Sequence, residues 1–357
     1  MWPYWIMFLL PSAMAFSELR ANFLASPKRI SGRGSFEWSV VLALLILLIG
    51  FRDQVGGDWF NYLRNFEYDR GESLWEALTV HDPGYHFFEW VSDQLGWGFY
   101  GVNFLAAIAF SSGLVVFCRH LPRPWLALAV AVPYIVIVLG MGYSRQGIAL
   151  GFIMLGLVAL SKQRIASFVA WSLLGATFHS SAILLLPMAA LAASRRKVIT
   201  VIWVGVAVAS AYLLLLQDTV GDLQINYLTA QQQSQGALVR LLLNAFPAAL
   251  LIVWRKRLLN DSLQHRFWIW IAVAALGLLA LYFVSPSSTA VDRVALYILP
   301  LQLMVFSRVP ESFGRHKGSN GLTVGLIIFL YGAIQFVWLN YAVNSYLWLP
   351  FRSFLLE

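Results

Sequence analysis

Apolar runs of roughly 15 to 20 residues recur from one end of the chain to the other, separated by short polar stretches. Drawn as helical crossings, they fall at about 2 to 17, 38 to 51, 99 to 118, 125 to 141, 146 to 160, 165 to 178, 180 to 193, 198 to 216, 239 to 254, 267 to 285, 292 to 307 and 321 to 340. The pattern predicts an all-α polytopic membrane protein with about 12 transmembrane or partly re-entrant helices, forming a single integral membrane domain over residues 1–357. No polar remainder exceeds about 45 residues, so no separate soluble domain is expected. The run at the N-terminus lacks a preceding basic region, which predicts a retained helix instead of a cleaved signal peptide.

One step is ambiguous by hydropathy alone. Residues 165–193 read either as one long tilted helix or as two short ones meeting at "FHSS". Charge separates the two. With a single crossing, "KQR" (Lys162 to Arg164) and "SRRK" (Ser194 to Lys197) fall on opposite faces, and every later basic loop is inverted. With two crossings, one face holds 18 of the 25 Lys and Arg, including every lysine, and the other holds 13 of the 17 acids. The positive-inside rule makes the lysine-bearing face cytoplasmic and puts both termini on the outer face. Each short crossing spans only about 21 Å, less than the hydrocarbon core, so the "FHSS" corner is expected to be sunken or re-entrant.

The longest outer segment, residues 52–98, is not a plain polar loop. Within it "SLWEAL" and "YHFFEWVSDQLGW" mix aromatics with acids at helical spacing, as interfacial or re-entrant helices do. A second outer loop is expected at 217–238. Composition agrees with this picture: 59% of residues are hydrophobic and only 12% charged. The net charge of +8 reports membrane orientation and not a nucleic-acid partner, because the cations sit between apolar runs. "WRKR" and "SRRK" read the same way, as orientation signals against anionic headgroups. The single cysteine, Cys118, lies inside an apolar run and offers neither an intramolecular disulfide nor a thiolate metal site.

The outer face carries seven arginines and no lysine, which favours recognition of a planar anion by guanidinium forks. Arg52, Arg145 and Arg293 each stand at a junction between an outer loop and a span, in "FRDQVGGD", "GMGYSRQG" and "SSTAVDRVALY". A cation there faces a cavity, a carboxylate or a ligand, or else snorkels or pairs with its neighbour Asp53 or Asp292. Asp58 and Asp82 occupy glycine-containing turns, where each is a candidate proton acceptor or a helix cap. His179, with Ser180 and Ser181 beside it, is a candidate base within the membrane or a polar stitch between short helices. "HDPGYH" sets His81 and His86 around Asp82, but that spacing matches no metal-ligand pattern, and no metal is expected there. Neither a phosphate-binding loop nor a dinucleotide fingerprint is present in the expected context, which argues against a nucleoside triphosphate and for a donor activated within the membrane.

"FRDQVGGDWFNYLRNFE", "DPGYHFFEWVSDQLGWGFYGVNF", "GYSRQGIALGFIMLGL", "GATFHSSAILLLPM" and "DRVALYILPLQ", in that order, resemble the motifs of the EpsG-like branch of bacterial polysaccharide polymerases, related to the Wzy O-antigen polymerases. The resemblance covers about residues 38 to 305, and the doubled glycine before Asp58 departs from the family's turn. It implies a multispan glycosyltransferase of the GT-C kind in the bacterial inner membrane. Such an enzyme, without a cofactor or metal, joins oligosaccharide units carried on undecaprenyl diphosphate at the periplasmic face. The lipid-linked oligosaccharide is then both donor and acceptor, and a flippase and a chain-length regulator are partners in the same pathway. Carried over by position, Arg52, Arg145 and Arg293 bind the diphosphate with help from Gln146 and Tyr297. His179, Asp58 and Asp82 compete for the acceptor's proton, His179 standing first. Trp59, Tyr62 and Tyr85 stack on sugar. Two rival readings share these features, a ligase moving finished glycan and a non-enzymatic flippase of the lipid-linked unit. The two-crossing topology predicts that a reporter active only outside the cytoplasm stays silent when fused after Arg196, whereas an active fusion would overturn it.

Overall fold

The computed structural model describes residues 1–24, 35–187, 202, 205–206, 234, 236–259, 264–313 and 320–355. Those residues form a helical bundle. In chain order its elements are α1 (Trp2–Leu24), α2 (Ser35–Gly50), β1 (Arg52–Asp53), α3 (Trp59–Tyr68), α4 (Leu74–Thr79), α5 (Pro83–Gln94), α6 (Gly98–His120) and α7 (Pro124–Ala131). A π-helix, Val132–Gly140, continues α7 and leads to α8 (Ser144–Ser161) and α9 (Ile165–Phe178), which a 3₁₀ turn, Ser180–Leu185, follows. Then come α10 (Ala237–Val253), α11 (Arg255–Leu258), α12 (Gln264–Tyr282), α13 (Ser288–Ala295), α14 (Pro300–Phe313), α15 (Asn320–Tyr341) and β2 (Arg352–Ser353).

Among the described residues three helices are long and apolar enough to cross a membrane: α6, α8 and α15. A fourth span arises if α13, its 3₁₀ extension to Ile298 and α14 count as one crossing, bent by 45° before Pro300. Proline there removes a backbone donor and crowds the preceding turn, which accounts for the break within the run expected at 292 to 307. Five shorter apolar helices lie at Phe36–Gly50, Pro124–Gly140, Ile165–Phe178, Ala237–Val253 and Arg266–Tyr282. Nearly all of the expected crossing at 198 to 216 and most of the loop at 217–238 lie outside the described residues, as does the chain beyond residue 187 in the crossing at 180 to 193.

Packing distinguishes the centre of the bundle from its rim. The apolar window of α8 is 78% buried, against 28% for α15. On α15, Leu322, Phe329 and Val337 are exposed. Such a face would be a liability in water, but lipid is as apolar as the side chains themselves. Inside, where lipid supplies no hydrogen bonds, polar groups stitch helices together. Gln302 Nε2 donates to Asn244 Oδ1 at 3.0 Å and Tyr331 Oη donates to Gln302 Oε1 at 2.8 Å, joining α10, α14 and α15.

The expected helices of the 52–98 segment are present as α4 and α5. The first is closed by a capping box: Ser73 Oγ accepts from the Glu76 amide and Glu76 Oε2 accepts from the Ser73 amide. Charges gather at two ends of the bundle. At one, Arg123 pairs with Glu311 at 3.7 Å, and His120 lies with Arg308 around a small cavity. At the other lie Arg52, Arg145, both strands and the N-terminal turn of α1. There β1 pairs antiparallel with β2, and Tyr4 Oη donates to the Trp348 carbonyl at 2.7 Å. Both chain ends thus meet the 52–98 segment at one end of the bundle.

The first turn of that segment depends on one close approach. Gly56 has φ +119°, and a Cβ there would lie 2.2 Å from the Met141 carbonyl oxygen. The contact lets the Asp58 amide donate to the Gly142 carbonyl at 3.3 Å, which seats the turn beside the start of α8. Gly56→Ala is expected to destabilise the protein by about 2 kcal/mol or more through backbone strain and displacement of this turn. Thermal unfolding of the detergent-solubilised variant reads it, and an unchanged midpoint would refute the docking contact.

Candidate functional site

Arg145 occupies the N-terminal turn of α8, which Tyr143 and Ser144 open after the π-helix. Its NH1 lies 3.3 Å from Asp82 Oδ2, and its guanidinium carbon sits 4.7 Å from the Tyr85 ring centre and 5.5 Å from that of Tyr62. Two aromatic faces and a carboxylate therefore hold a cation that lipid or apolar protein would otherwise penalise. Arg145 Nε, Gln146 Nε2, Tyr85 Oη and Asp82 Oδ1 are all buried without a hydrogen-bond partner. Orphaned polar atoms are rare in folded interiors, and three of these four are donors.

Asp82 precedes α5 in the left-handed region, at φ +58°. Asp tolerates that conformation better than most residues, and Pro83 then starts the helix. Next along, Gly84 lets α5 lie against the end of α9: a Cβ there would come within 2.6 Å of Thr177 and 2.8 Å of Phe178. Helix α9 stops at the following residue. His179 is extended, at φ −158° and ψ 115°, and a 3₁₀ turn begins after it, so the helix breaks where "FHSS" predicts.

The His179 ring is tied into a short polar line. Ser181 Oγ lies 2.7 Å from His179 Nδ1 and 3.2 Å from the Tyr297 hydroxyl. The Ser181 amide also donates to Nδ1, at 3.4 Å. An amide can only donate, so Nδ1 is an acceptor and the proton of the neutral ring sits on Nε2. Arg293, Arg145 and His81 are near enough for their charges to bear on this ring.

Asp58 is half-buried at the N-terminus of α3, close to Arg293 and Arg145. Burial pushes its carboxyl above the ordinary range, against the opposing pull of those two arginines and a hydrogen bond from Asn61. Burial likewise raises the Asp82 carboxyl, and His81 and Arg145 oppose it. Arg293 is exposed on α13. Its neighbour Asp292 is occupied by Arg240, whose Nε donates to Oδ1 at 2.7 Å and whose NH2 donates to Oδ2 at 2.6 Å. Pairing with Asp292, one of the plain alternatives for Arg293, is thereby taken up by Arg240. No local signal links Arg240 to Asp292, since 52 residues separate them.

Arg52 differs from the other two junction arginines. It is 1% exposed, and its guanidinium donates to the Ile49 carbonyl, to the Val55 carbonyl at 3.0 Å and to Ser144 Oγ at 3.0 Å. Its forks hold protein atoms where a phosphate contact was expected. Two of the expected sugar platforms are also enclosed. Trp59 is 3% exposed, 4.9 Å from Phe99 and under Arg52, and Tyr85 is fully buried. Their rings are covered by protein and leave no face for a sugar; Tyr62 remains half-buried beside Arg145. Tyr297 is buried too and meets Ser181 through its hydroxyl. Beside it runs an apolar cavity of about 270 Å³ lined by Leu184, Leu185, Leu278, Val294 and Ile298. The histidines of "HDPGYH" part company, His81 to Asp82 at 3.4 Å and His86 to Asp69 and Glu89.

Apolar helices surround a buried polar cluster, with arginines and an apolar groove beside it, as in a helical membrane protein. A family model for the EpsG family matches residues 36–353, and the chain belongs to that family. The family carries a polysaccharide-polymerase-like, glycosyltransferase-like role. No curated protein and no solved structure matches the chain.

Proposed function

We propose that this chain is a GT-C-like glycosyltransferase of about twelve crossings that polymerises lipid-linked oligosaccharide at the periplasmic face of the bacterial inner membrane. Donor and acceptor are both carried on a polyprenyl diphosphate such as undecaprenyl diphosphate. The observation that carries the reading is the set of orphaned donors around Arg145, beside Arg293 and next to an apolar groove. A diphosphate would satisfy the donors and a polyprenyl tail would fill the groove.

In this reading an acceptor sugar hydroxyl attacks the anomeric carbon of the donor glycan. The new carbon–oxygen bond forms as the bond to the diphosphate breaks, and the diphosphate oxygen keeps the electron pair. Arg145 and Arg293, helped by Gln146, stabilise the charge that accumulates there, because preorganised donors in a dry site need no reorganisation. Arg52 holds the scaffold of that clamp in place, and Asp82 orients Arg145. The acceptor's proton passes to Asp58. His179, with Nδ1 engaged and its proton on Nε2, is better placed to donate to the substrate than to take the proton, and Ser181 and Tyr297 fix its ring. Tyr62 is the aromatic closest to a sugar-binding position. A flippase and a chain-length regulator remain the expected partners in the pathway.

Arg145→Ala and Arg293→Ala, each inserted at wild-type level, are expected to reduce surface or carrier-linked glycan from a long-chain ladder to single repeat units on a gel. Arg145→Lys is expected to restore little, since an ammonium lacks the planar fork. Normal ladders in both alanine variants would refute the clamp, whereas total loss of surface glycan would favour a ligase or flippase. A second expectation concerns pH. A base must be deprotonated to work, and the Asp58 carboxyl is raised, so polymerisation should fall as pH drops through a value above the ordinary carboxylate pKa of about 3.9. Asp58→Asn should lower the rate by about 100-fold or more and abolish that acid limb. An unaltered pH profile in Asp58→Asn would exclude Asp58 as the base.

A further inference from the structure

Away from the arginine clamp, a second polar cluster lies in the 52–98 segment, between the end of α3 and the middle of α5. Asp69 caps the C-terminus of α3, and His86 and Glu89 lie three residues apart on one face of α5. One ligand atom from each, His86 Nδ1, a carboxylate oxygen of Asp69 and one of Glu89, lies within 4.8 Å of the others. His86 Nδ1 is 3.0 Å from Glu89 Oε2 and 3.4 Å from Asp69 Oδ2. These side chains are 13%, 4% and 17% exposed for His86, Glu89 and Asp69.

Hydrogen bonding does not account for the arrangement. Glu89 has both carboxylate oxygens buried without a hydrogen-bond partner, and His86 Nδ1 is likewise unpartnered despite its short separations. The distances fit a hydrogen bond and the angles do not. A buried carboxylate left in that state costs several kcal/mol, which a cation bound beside it would offset. Neighbouring donors bound at about 2.1 Å to one cation stand about 3.0 to 3.4 Å apart, and both separations from His86 Nδ1 fall in that interval. Room for a single small occupant exists, a cavity of about 10 Å³ lined by Asp69, Glu72, His86, Glu89 and Asp93. Of these, Asp93 is already engaged by the Gly71 amide and Arg70.

We propose that Asp69, His86 and Glu89 bind one divalent first-row cation, Zn²⁺ or Mn²⁺, that clamps α3 to α5. One imidazole nitrogen with two carboxylate oxygens suits those borderline ions better than Mg²⁺ or Ca²⁺, which prefer oxygen alone. The ion's place is structural. By fixing α5 to α3 it also fixes the first turn of α5, where Asp82 and Tyr85 hold Arg145. Sequence spacing hides the site, because Asp69 is seventeen positions before His86 and the nearby pair His81 and His86 draws the eye to the wrong partner.

Full-length protein purified in detergent, stripped with a chelator and titrated with Zn²⁺ or Mn²⁺, tests the site without any polymer assay. One equivalent is expected to stay bound through gel filtration by elemental analysis and to raise the unfolding midpoint. His86→Ala and Asp69→Asn, each on a more exposed ligand than Glu89, should each bind at least tenfold more weakly and lose the shift, with Mg²⁺ and Ca²⁺ ineffective throughout. Either variant retaining wild-type affinity would overturn the assignment, as would wild-type protein that binds neither ion or is stabilised equally by Mg²⁺. A polymerase that fails the arginine test and still binds the ion would leave this site standing and refute only the clamp.

Discussion

A guanidinium buried to 1% exposure cannot be left without partners, and Arg52 meets that constraint by bonding three parts of the chain at once. Its donors reach the last turn of α2, the carbonyl of Val55 and the first residue of α8. The Gly56 turn is thereby held against Met141 and Gly142, and Asp58 and Arg145 are brought to the same end of the bundle. Strand β2 pairs with Arg52 and Asp53 from the far end of the sequence, and Trp348 closes the same corner by donating from Nε1 to the Ile137 carbonyl at 2.8 Å. That carbonyl belongs to the π-helix, whose wider winding leaves backbone groups to be taken by other partners. An interior of this kind is specified by hydrogen bonds because in lipid apolar contact alone does not discriminate one helix neighbour from another.

On this frame the polar atoms divide into satisfied and unsatisfied sets. Arg52, Arg240 with Asp292, and the Asn244–Gln302–Tyr331 chain are closed networks that fix geometry. Around Arg145 the network is open, with donors aimed at no protein atom, and around Glu89 it is open in the opposite sense, with acceptors awaiting a cation. The two open clusters lie on successive turns of one short helix, α5, with Tyr85 in one and His86 in the other. A rigid α5 links them: whatever fixes Glu89 and His86 also fixes the Asp82 carboxylate that orients Arg145.

Much of the helical plan was legible in the hydropathy pattern, since the spans read at 99 to 118, 146 to 160, 165 to 178, 239 to 254 and 321 to 340 each correspond to an observed helix within a few residues. Helices α4 and α5 were legible from their aromatic and acidic spacing, and the break at His179 from the polar "FHSS" corner. The π-helix was not, because the apolar run over Pro124–Gly140 is continuous and only hydrogen-bond registration distinguishes the two windings. The bend at Pro300 was missed for a related reason, since hydropathy does not register a missing backbone donor.

By itself the sequence determined that this chain is a helical membrane protein, because apolar length is a one-dimensional property. It also placed Arg52, Arg145 and Arg293 at equivalent depths. Only tertiary structure decided that they differ: Arg52 is consumed by backbone and serine oxygens, Arg145 is caged with a free donor, and Asp292 goes to Arg240 instead of to its neighbour. The same holds for Trp59 and Tyr85, whose rings the packing covers, and for Asp69, which meets His86 across a gap no motif spans. Hydrogen-bond partners in a bundle are chosen by which helices cross, and residues 52 or 92 positions apart carry no local mark of that choice.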